Sequence, residues 1–362
     1  MQQNNIQKKA NGLGWLFFSM IMIYLVMNFS VGALSQAGIQ LSVVGSLIFS
    51  EALILVPTLI YVIKNKCSFR DDLAFRRMKV GTFFLSIFLG FLVMPIASFV
   101  NVLSQFFVQN TMTAASDQLI GGQSFPIILF LSGVFAPVCE EFAFRSVFFE
   151  RFGKLATPLK AAVCSALFFG LMHLNLNQAC YAFVLGILFA VANKASGSVY
   201  TSMIMHIVIN SFNMCMMYVS MSLLENADVS LADAAEQART SDTLYMLAGV
   251  YLVLAFVCII IYMLIVSAIA KHEGRIDELK AMFIRKNSAE IADEQKAATE
   301  EASNAEESEE AADVLETVYD SEDSPKNKQV RILCNGPALF TVAICLFIIF
   351  GLTPLMEMLG WM

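Results

Sequence analysis

The sequence predicts an all-α protein, a polytopic bundle of about nine transmembrane helices. Three observations carry that prediction. Of 362 residues, 57% are hydrophobic and 15% charged, and the mean hydropathy is +0.67, a composition outside the soluble range. The apolar residues are gathered into runs near the roughly 20 residues that a spanning helix needs. Between the runs, Lys and Arg crowd every second loop, as they do in chains oriented by their cytoplasmic charges.

The first run, 13–34, follows Lys8 and Lys9 as a secretory signal would. It exceeds the apolar region of about 7 to 15 residues found in such signals, so it is read as an uncleaved first helix. Runs 41–63 and 80–108 contain Pro57 and Pro95, which a bundle tolerates where neighbours satisfy the freed carbonyls. The fourth is 125–150. Runs 160–176 and 179–193 are short, with Asn175-Leu176-Asn177-Gln178 between them. Runs 198–223, 242–270 and 332–355 complete nine, and residues 276–285 extend the eighth.

Lys8 and Lys9, the six basic residues from Lys64 to Lys79, Arg151, Lys154 and Lys160, then Lys194, then Lys271 to Lys286 fall on one side. The alternate loops, 35–40, 109–124, 175–178 and 224–241, hold a single basic residue, Arg239. The expectation is an integral plasma-membrane protein with a cytoplasmic N-terminus and nine crossings.

The net charge of −7 is local, because Glu290 to Asp323 contains 14 acidic residues and one basic residue, Lys296. The rest carries 22 Lys and Arg against 16 Asp and Glu, so the acidity does not describe the membrane body. Residues 287–331 are too polar to offset chain entropy and are expected to be a disordered cytoplasmic linker. The chain therefore divides into a membrane body at 1–286, the linker at 287–331 and a C-terminal helix at 332–362. Its expected partners are the lipid bilayer and a membrane-associated peptide or protein substrate, with no nucleic acid. Eight cysteines show no metal-type spacing and mostly sit in apolar runs, where a thiol behaves as a small hydrophobe.

Pro137-Val138-Cys139-Glu140-Glu141-Phe142-Ala143-Phe144-Arg145 breaks the apolar pattern. An ionisable side chain at the bilayer centre costs about 2.5 to 3.5 kcal/mol, so such a cluster marks function. Glu141 and Arg145 are i,i+4 on one helix face and can neutralise each other, whereas Glu140 points about 100° away without a local partner. A buried ion pair locking helices explains the first two residues and leaves Glu140 unexplained. His173 and His206 also lie within apolar runs. His206 and Asn210 share a helix face, as do Phe169 and His173. At ~1.5 Å per residue from the cytoplasmic ends, Glu140, His173 and His206 lie about 15, 20 and 14 Å deep and can converge.

A carboxylate, two imidazoles and an amide suit peptide hydrolysis. The carboxylate can take a proton from water, and His or Asn can donate to the developing oxyanion. A Zn²⁺ held by Glu140, His173 and His206 is the other way to activate that water.

Glu140-Glu141-x-x-x-Arg145, Phe169-x-x-x-His173 and His206-x-x-x-Asn210, in this order on three membrane helices, resemble the three motifs of the CAAX protease and bacteriocin-processing (Abi) family. Its members include the type II CAAX prenyl endopeptidases. The resemblance covers about 124–215. It implies an eight-helix intramembrane protease core plus one C-terminal helix, with Glu140 and His173 activating the water, His206 and Asn210 stabilising the oxyanion, and Glu141 and Arg145 supporting the site. It also implies an endopeptidase, classed as a metalloprotease though a metal-independent glutamate mechanism is also argued, with CAAX-like or bacteriocin-type substrates. The rival reading is a proteolytically silent scaffold or bacteriocin immunity protein. A proton-coupled transporter is disfavoured, since no repeated half or paired broken helices stand out. Gly122-Gln123-Ser124 matches only a short fragment of a rhomboid pattern, and no H-E-x-x-H occurs. Glu51 and Asn28 are read as polar groups hydrogen-bonding between helices.

Overall fold

The computed structural model describes residues 2–38, 41–110, 119–120, 123–225, 230–283 and 335–352. Among them, seven helices are long and apolar enough to cross a membrane, and two shorter apolar helices accompany them. They occupy the nine expected runs, so the chain is a polytopic helical bundle and an integral membrane protein. The membrane dictates this form: with no water to satisfy backbone N–H and C=O groups, each crossing segment must close its own hydrogen bonds. The linker expected at 287–331 lies outside the described residues.

In order, α1 is Gln2–Gln36, α2 Val43–Lys64 and α3 Val80–Ser104, the last divided into Val80–Leu92 and Met94–Ser104. The division falls at Val93, beside Pro95, which has no N–H to continue the ladder. Pro57 leaves α2 helical. Next come α4 Phe125–Gly153, α5 Pro158–Met172, α6 Leu176–Ser196 and α7 Tyr200–Glu225. A short α8, Leu231–Ala238, precedes α9 Ser241–Glu273, then α10 Ile276–Phe283 and α11 Gly336–Phe347. Instead of extending α9, α10 is a separate helix. Gly274 at φ 74° ends α9 in the left-handed conformation open to glycine, and α10 turns back to bury Leu279 and Met282.

The core is centred on α4, whose Phe144, Phe148 and Phe152 are fully buried. Phe17 of α1 stacks on Phe168 of α5 with centroids 4.1 Å apart. In lipid, helices gain little from hiding apolar surface and associate through close packing at small residues. Gly186 of α6 shows this, because a Cβ there would lie 2.7 Å from the Ala166 Cβ of α5 and 3.1 Å from Arg145 Nη2. Helix α11 packs against α1, where Asn335 Nδ2 donates to the Ala10 carbonyl at 2.9 Å.

Polar clasps tie the helix ends. Glu273 accepts from the Lys79 N–H at 3.0 Å and from the Thr82 hydroxyl, placing a carboxylate at the positive N-terminus of α3. In the loop after α2, Asp72 accepts from Ser68 N at 2.9 Å and pairs with Arg151 at 2.9 Å and with Lys154. The Lys154 hydrogen bond, then the Ser68 N–H, hold the Asp72 carboxyl below the usual carboxylate range.

Candidate active site

Helix α4 is not a uniform α-helix. Its Ala136–Glu141 segment is α-helical between two π-helical stretches, Leu131–Phe135 and Phe142–Phe149. Pro137 supplies the reason on the first side. It lacks an N–H, so the carbonyl four residues back, on Gly133, loses its helical donor. Side chains of α7 fill the gap: Ser211 Oγ donates to Gly133 O and Asn210 Nδ2 donates to Ser132 O, both at 3.2 Å. A Cβ on Gly133 would stand 2.7 Å from Ser211 Oγ and 3.2 Å from Ser211 Cα, so glycine is what lets α7 come this close. On the second side the Ser165 hydroxyl of α5 donates to the Phe144 carbonyl. Helical segments of this wide kind are frequent at functional sites.

The widened helix presents Glu140 and Glu141 differently. Glu141 is fully buried, and its Oε1 lies 3.2 Å from Arg145 Nη1 and 3.0 Å from His206 Nδ1. No guanidinium nitrogen of Arg145 makes a hydrogen bond among the described residues, so charge and ring faces hold the cation. Its central carbon is 4.1 Å from the Phe169 centroid and 5.2 Å from that of Phe189. Glu140 Oε2 faces His206 Nε2 at 3.6 Å, beyond hydrogen-bonding distance.

His173 is not inside a helix, as the apolar run suggested, but caps the C-terminus of α5. Leu174 follows at φ 49°, a left-handed conformation that costs energy for a branched side chain. The Asn175 side chain then caps α6 by accepting from Gln178 N. The early stop comes from this cap, which starts the next helix after only three intervening residues. His173 Nδ1 lies 2.9 Å from the Phe169 carbonyl. A carbonyl only accepts, so Nδ1 carries the hydrogen and Nε2 is the edge left for chemistry. His173 and His206 flank the same Phe169 ring, at 5.1 and 5.8 Å between centroids.

The structure thus brings Glu140 and Glu141 to His206, pairs Glu141 with Arg145, sets Arg145, His173 and His206 against the Phe169 ring, and ties Asn210 to α4. Sequence reasoning missed the roles of Ser132, Gly133, Ser211 and Phe189. The available signal was Pro137, whose missing N–H announces an open carbonyl one turn earlier. Glu140 also gains what the helix-face reading withheld from it, a neighbour in His206. Asn28 turns out to donate within its own helix, to the Tyr24 carbonyl at 2.8 Å.

Among the described residues, no three His, Cys, Asp or Glu side chains are grouped to hold a metal. His206 directs Nδ1 to Glu141 and His173 directs Nδ1 to the Phe169 carbonyl, which leaves Nε2 of each ring as its free edge. Glu140, His173 and His206 are not grouped at metal-ligand spacing, and no step below passes through a metal.

An apolar groove of about 890 Å³ borders the site, with Leu55 and Leu59 of α2 on one wall and Cys139, Phe142 and Met203 on another. Phe75 and Arg77 of the loop after α2 also line it, and Phe75 packs on Phe142 with centroids 5.9 Å apart. Residues 122–212, about a quarter of the chain, match the family model described as type II CAAX prenyl endopeptidase Rce1-like. No curated protein and no solved structure matches.

Proposed function

We propose that this member of the CAAX protease and bacteriocin-processing family, a membership carried by residues 122–212, is an intramembrane endopeptidase. It hydrolyses a peptide bond in a membrane-associated protein or peptide, CAAX-like or bacteriocin-type. The observation that carries this reading is the unequal treatment of the two adjacent carboxylates. Glu141 Oε1 is occupied by Arg145 and His206, whereas Glu140 faces His206 without closing a hydrogen bond. One carboxylate is structural, and the other is available to a water molecule.

In this mechanism Glu140 takes a proton from the attacking water, with His173 Nε2 as the second acceptor at the site. The water oxygen bonds to the scissile carbonyl carbon, and negative charge collects on the carbonyl oxygen. His206, donating from an Nε2–H while Glu141 holds its Nδ1–H, and Asn210 stabilise that oxyanion. Asn210 has two amide hydrogens; Ser132 uses one, leaving one for the oxyanion. As the C–N bond breaks, the proton held by Glu140 passes to the departing amine. The apolar groove beside Cys139, lined also by Phe75 and Arg77 of the loop after α2, receives the hydrophobic part of the substrate. The groups lie on α4, α5 and α7, so the site is made by helix packing and excludes bulk water, which strengthens each of these interactions.

The test is incubation of the detergent-purified protein with a peptide library, read by mass spectrometry. Cleavage by the parent that Glu140→Gln abolishes is the expected result. Cleavage surviving in Glu140→Gln, or none from a folded parent, favours the silent-scaffold reading.

A further inference from the structure

An apolar furrow of about 640 Å³ runs between α1 and α2, from Gly12 and Tyr61 at one end to Ile23 and Phe49 at the other. A second cavity of about 510 Å³ shares Phe49 and Leu53 with it and continues between the same two helices. The helices come together at Gly12, where a Cβ would lie 3.8 Å from Tyr61 Cε2. Trp15, Val56 and Ile60 on the furrow wall are exposed, so it opens to the side of the bundle, where the hydrocarbon of the bilayer lies. Charge is confined to one end. Lys64 is the one charged residue on the wall of the first cavity, and no residue lining the second is charged. Lys8 stands four residues before Gly12 and therefore on the same face of α1. Lys8 lies one turn beyond Gly12 and Lys64 nearly one turn beyond Tyr61, so the two exposed ammonium groups flank the same end of the furrow. Among the described residues the ion-paired lysines are Lys154, Lys194 and Lys280, which leaves Lys8 and Lys64 with their charge open. Of the acids that follow α2, Asp72 is taken by Arg151 and Lys154, and Asp71 accepts from Ser68 Oγ at 3.3 Å.

We propose that this furrow is a binding site for an anionic phospholipid, with an acyl chain against Ser19, Ala52 and Val56 and the phosphate between Lys8 and Lys64. Basic pockets between membrane helices are the usual seats of anionic head groups. The dimensions agree. From Tyr61 to Phe49 the furrow follows ~18 Å of α2, close to the half of a roughly 30 Å hydrocarbon core that one leaflet fills. The small side chains of Gly12, Ser19 and Ala52 leave a slot of about one chain's width, which bulkier residues would close. A phosphate with no cation of its own neutralises the two lysines, whereas a zwitterionic head group brings a second ammonium beside them. On another side of α2, Leu55 and Leu59 line the groove beside Cys139. A lipid in the furrow therefore supports the helix that walls that groove, outside the three motifs and away from the residues that carry them.

Trp15 on the furrow wall supplies the reporter. The chain has two tryptophans, Trp15 and Trp361, so Trp361→Phe leaves one indole, and bromine on a lipid acyl chain quenches an indole that it touches. The full chain carrying Trp361→Phe is reconstituted in vesicles of phosphatidylcholine into which brominated phosphatidylglycerol, or brominated phosphatidylcholine, is titrated. Brominated phosphatidylglycerol should quench Trp15 with about 25-fold preference over brominated phosphatidylcholine. Lys8→Gln and Lys64→Gln should each lower that preference about fivefold, and the pair together should bring it to about one. Lys64→Arg keeps the charge and should keep the preference. Lys271→Gln, an exposed lysine of α9, should leave it unchanged. Equal quenching by the two lipids in the parent overturns the proposal, as does a preference that survives the double substitution or falls as far in Lys271→Gln. Native mass spectrometry of the chain with both tryptophans gives the same reading without the Trp361→Phe background. Phosphatidylglycerol should stay bound through detergent removal in preference to phosphatidylcholine, and loss of that preference in the double variant is the expected result. Retention of both lipids alike by the parent overturns the site.

Discussion

Replacing Glu141 by Gln should unfold the site, and replacing Glu140 by Gln should only silence it. Glu141→Gln keeps the volume but removes the charge 3.2 Å from Arg145. The guanidinium is 1% exposed and has no hydrogen bond among the described residues, so neither water nor a carbonyl takes over. Stranding one partner of a buried pair costs about 3 to 5 kcal/mol. The Phe169 and Phe189 faces remain and return about 0.5 to 2 kcal/mol each at most, already present in the parent. The expected loss for Glu141→Gln is therefore about 3 kcal/mol or more. Glu140 makes no ion pair with Arg145 and is 3.6 Å from His206, so Glu140→Gln should cost less than about 1 kcal/mol while lowering turnover by about 10² to 10⁴. The assay pairs unfolding in mixed micelles with single-turnover cleavage. Adding Arg145→Met to Glu141→Gln should recover stability, because an apolar replacement of both partners is often near neutral. Equal destabilisation by the two Gln variants, or no recovery in the double variant, would refute the division of labour between the carboxylates.

Ser211→Ala removes the donor to the Gly133 carbonyl opened by Pro137 and should cost about 0.5 to 1.5 kcal/mol in unfolding free energy; an unchanged melt would show that the π-helical turn does not need α7. The folded-state carboxyl of Asp72 ionises below its unfolded value, so its contribution is full above about pH 4 and is lost as pH falls through the lower folded value. Melting of parent and Asp72→Asn should therefore differ at pH 6 and converge in strong acid, by a small amount since the pair is partly solvated. Reporters fused after Lys79 should read cytoplasmic and one at Asp233 external; a cytoplasmic reading at Asp233 removes the expected orientation. Replacing residues 290–323 by a Gly/Ser linker should leave peptide turnover unchanged, and a loss as large as that of Glu140→Gln would make the acidic segment part of the enzyme.

Among the described residues, the seven long and two shorter apolar helices and most of their limits were legible because lipid forces each segment to satisfy its own backbone, leaving a long apolar run as the visible trace. Pro95 located the break in α3 for the same local reason. The three motifs were legible because charges and imidazoles are conspicuous against such runs. The end of α5 was not. Met172 and Leu174 continue the apolar run on either side of His173, and the stop depends on the Asn175 cap and a left-handed Leu174. Nor did spacing reveal that α4 widens around Glu140, since the gap at Gly133 is filled by Ser211, 78 residues away in the chain.

What the sequence by itself determined is where the long apolar helices fall, their order and the chemical types available at the site. What only the tertiary structure decided is which faces meet: that Glu141 rather than Glu140 takes both Arg145 and His206, and that Asn210 is tied to Ser132. A soluble helix advertises its inner face as an apolar stripe, but a helix in lipid is apolar all round. Its partners are chosen by close contacts at residues such as Gly133 and Gly186, whose neighbours lie on other helices and leave no periodic mark in the chain.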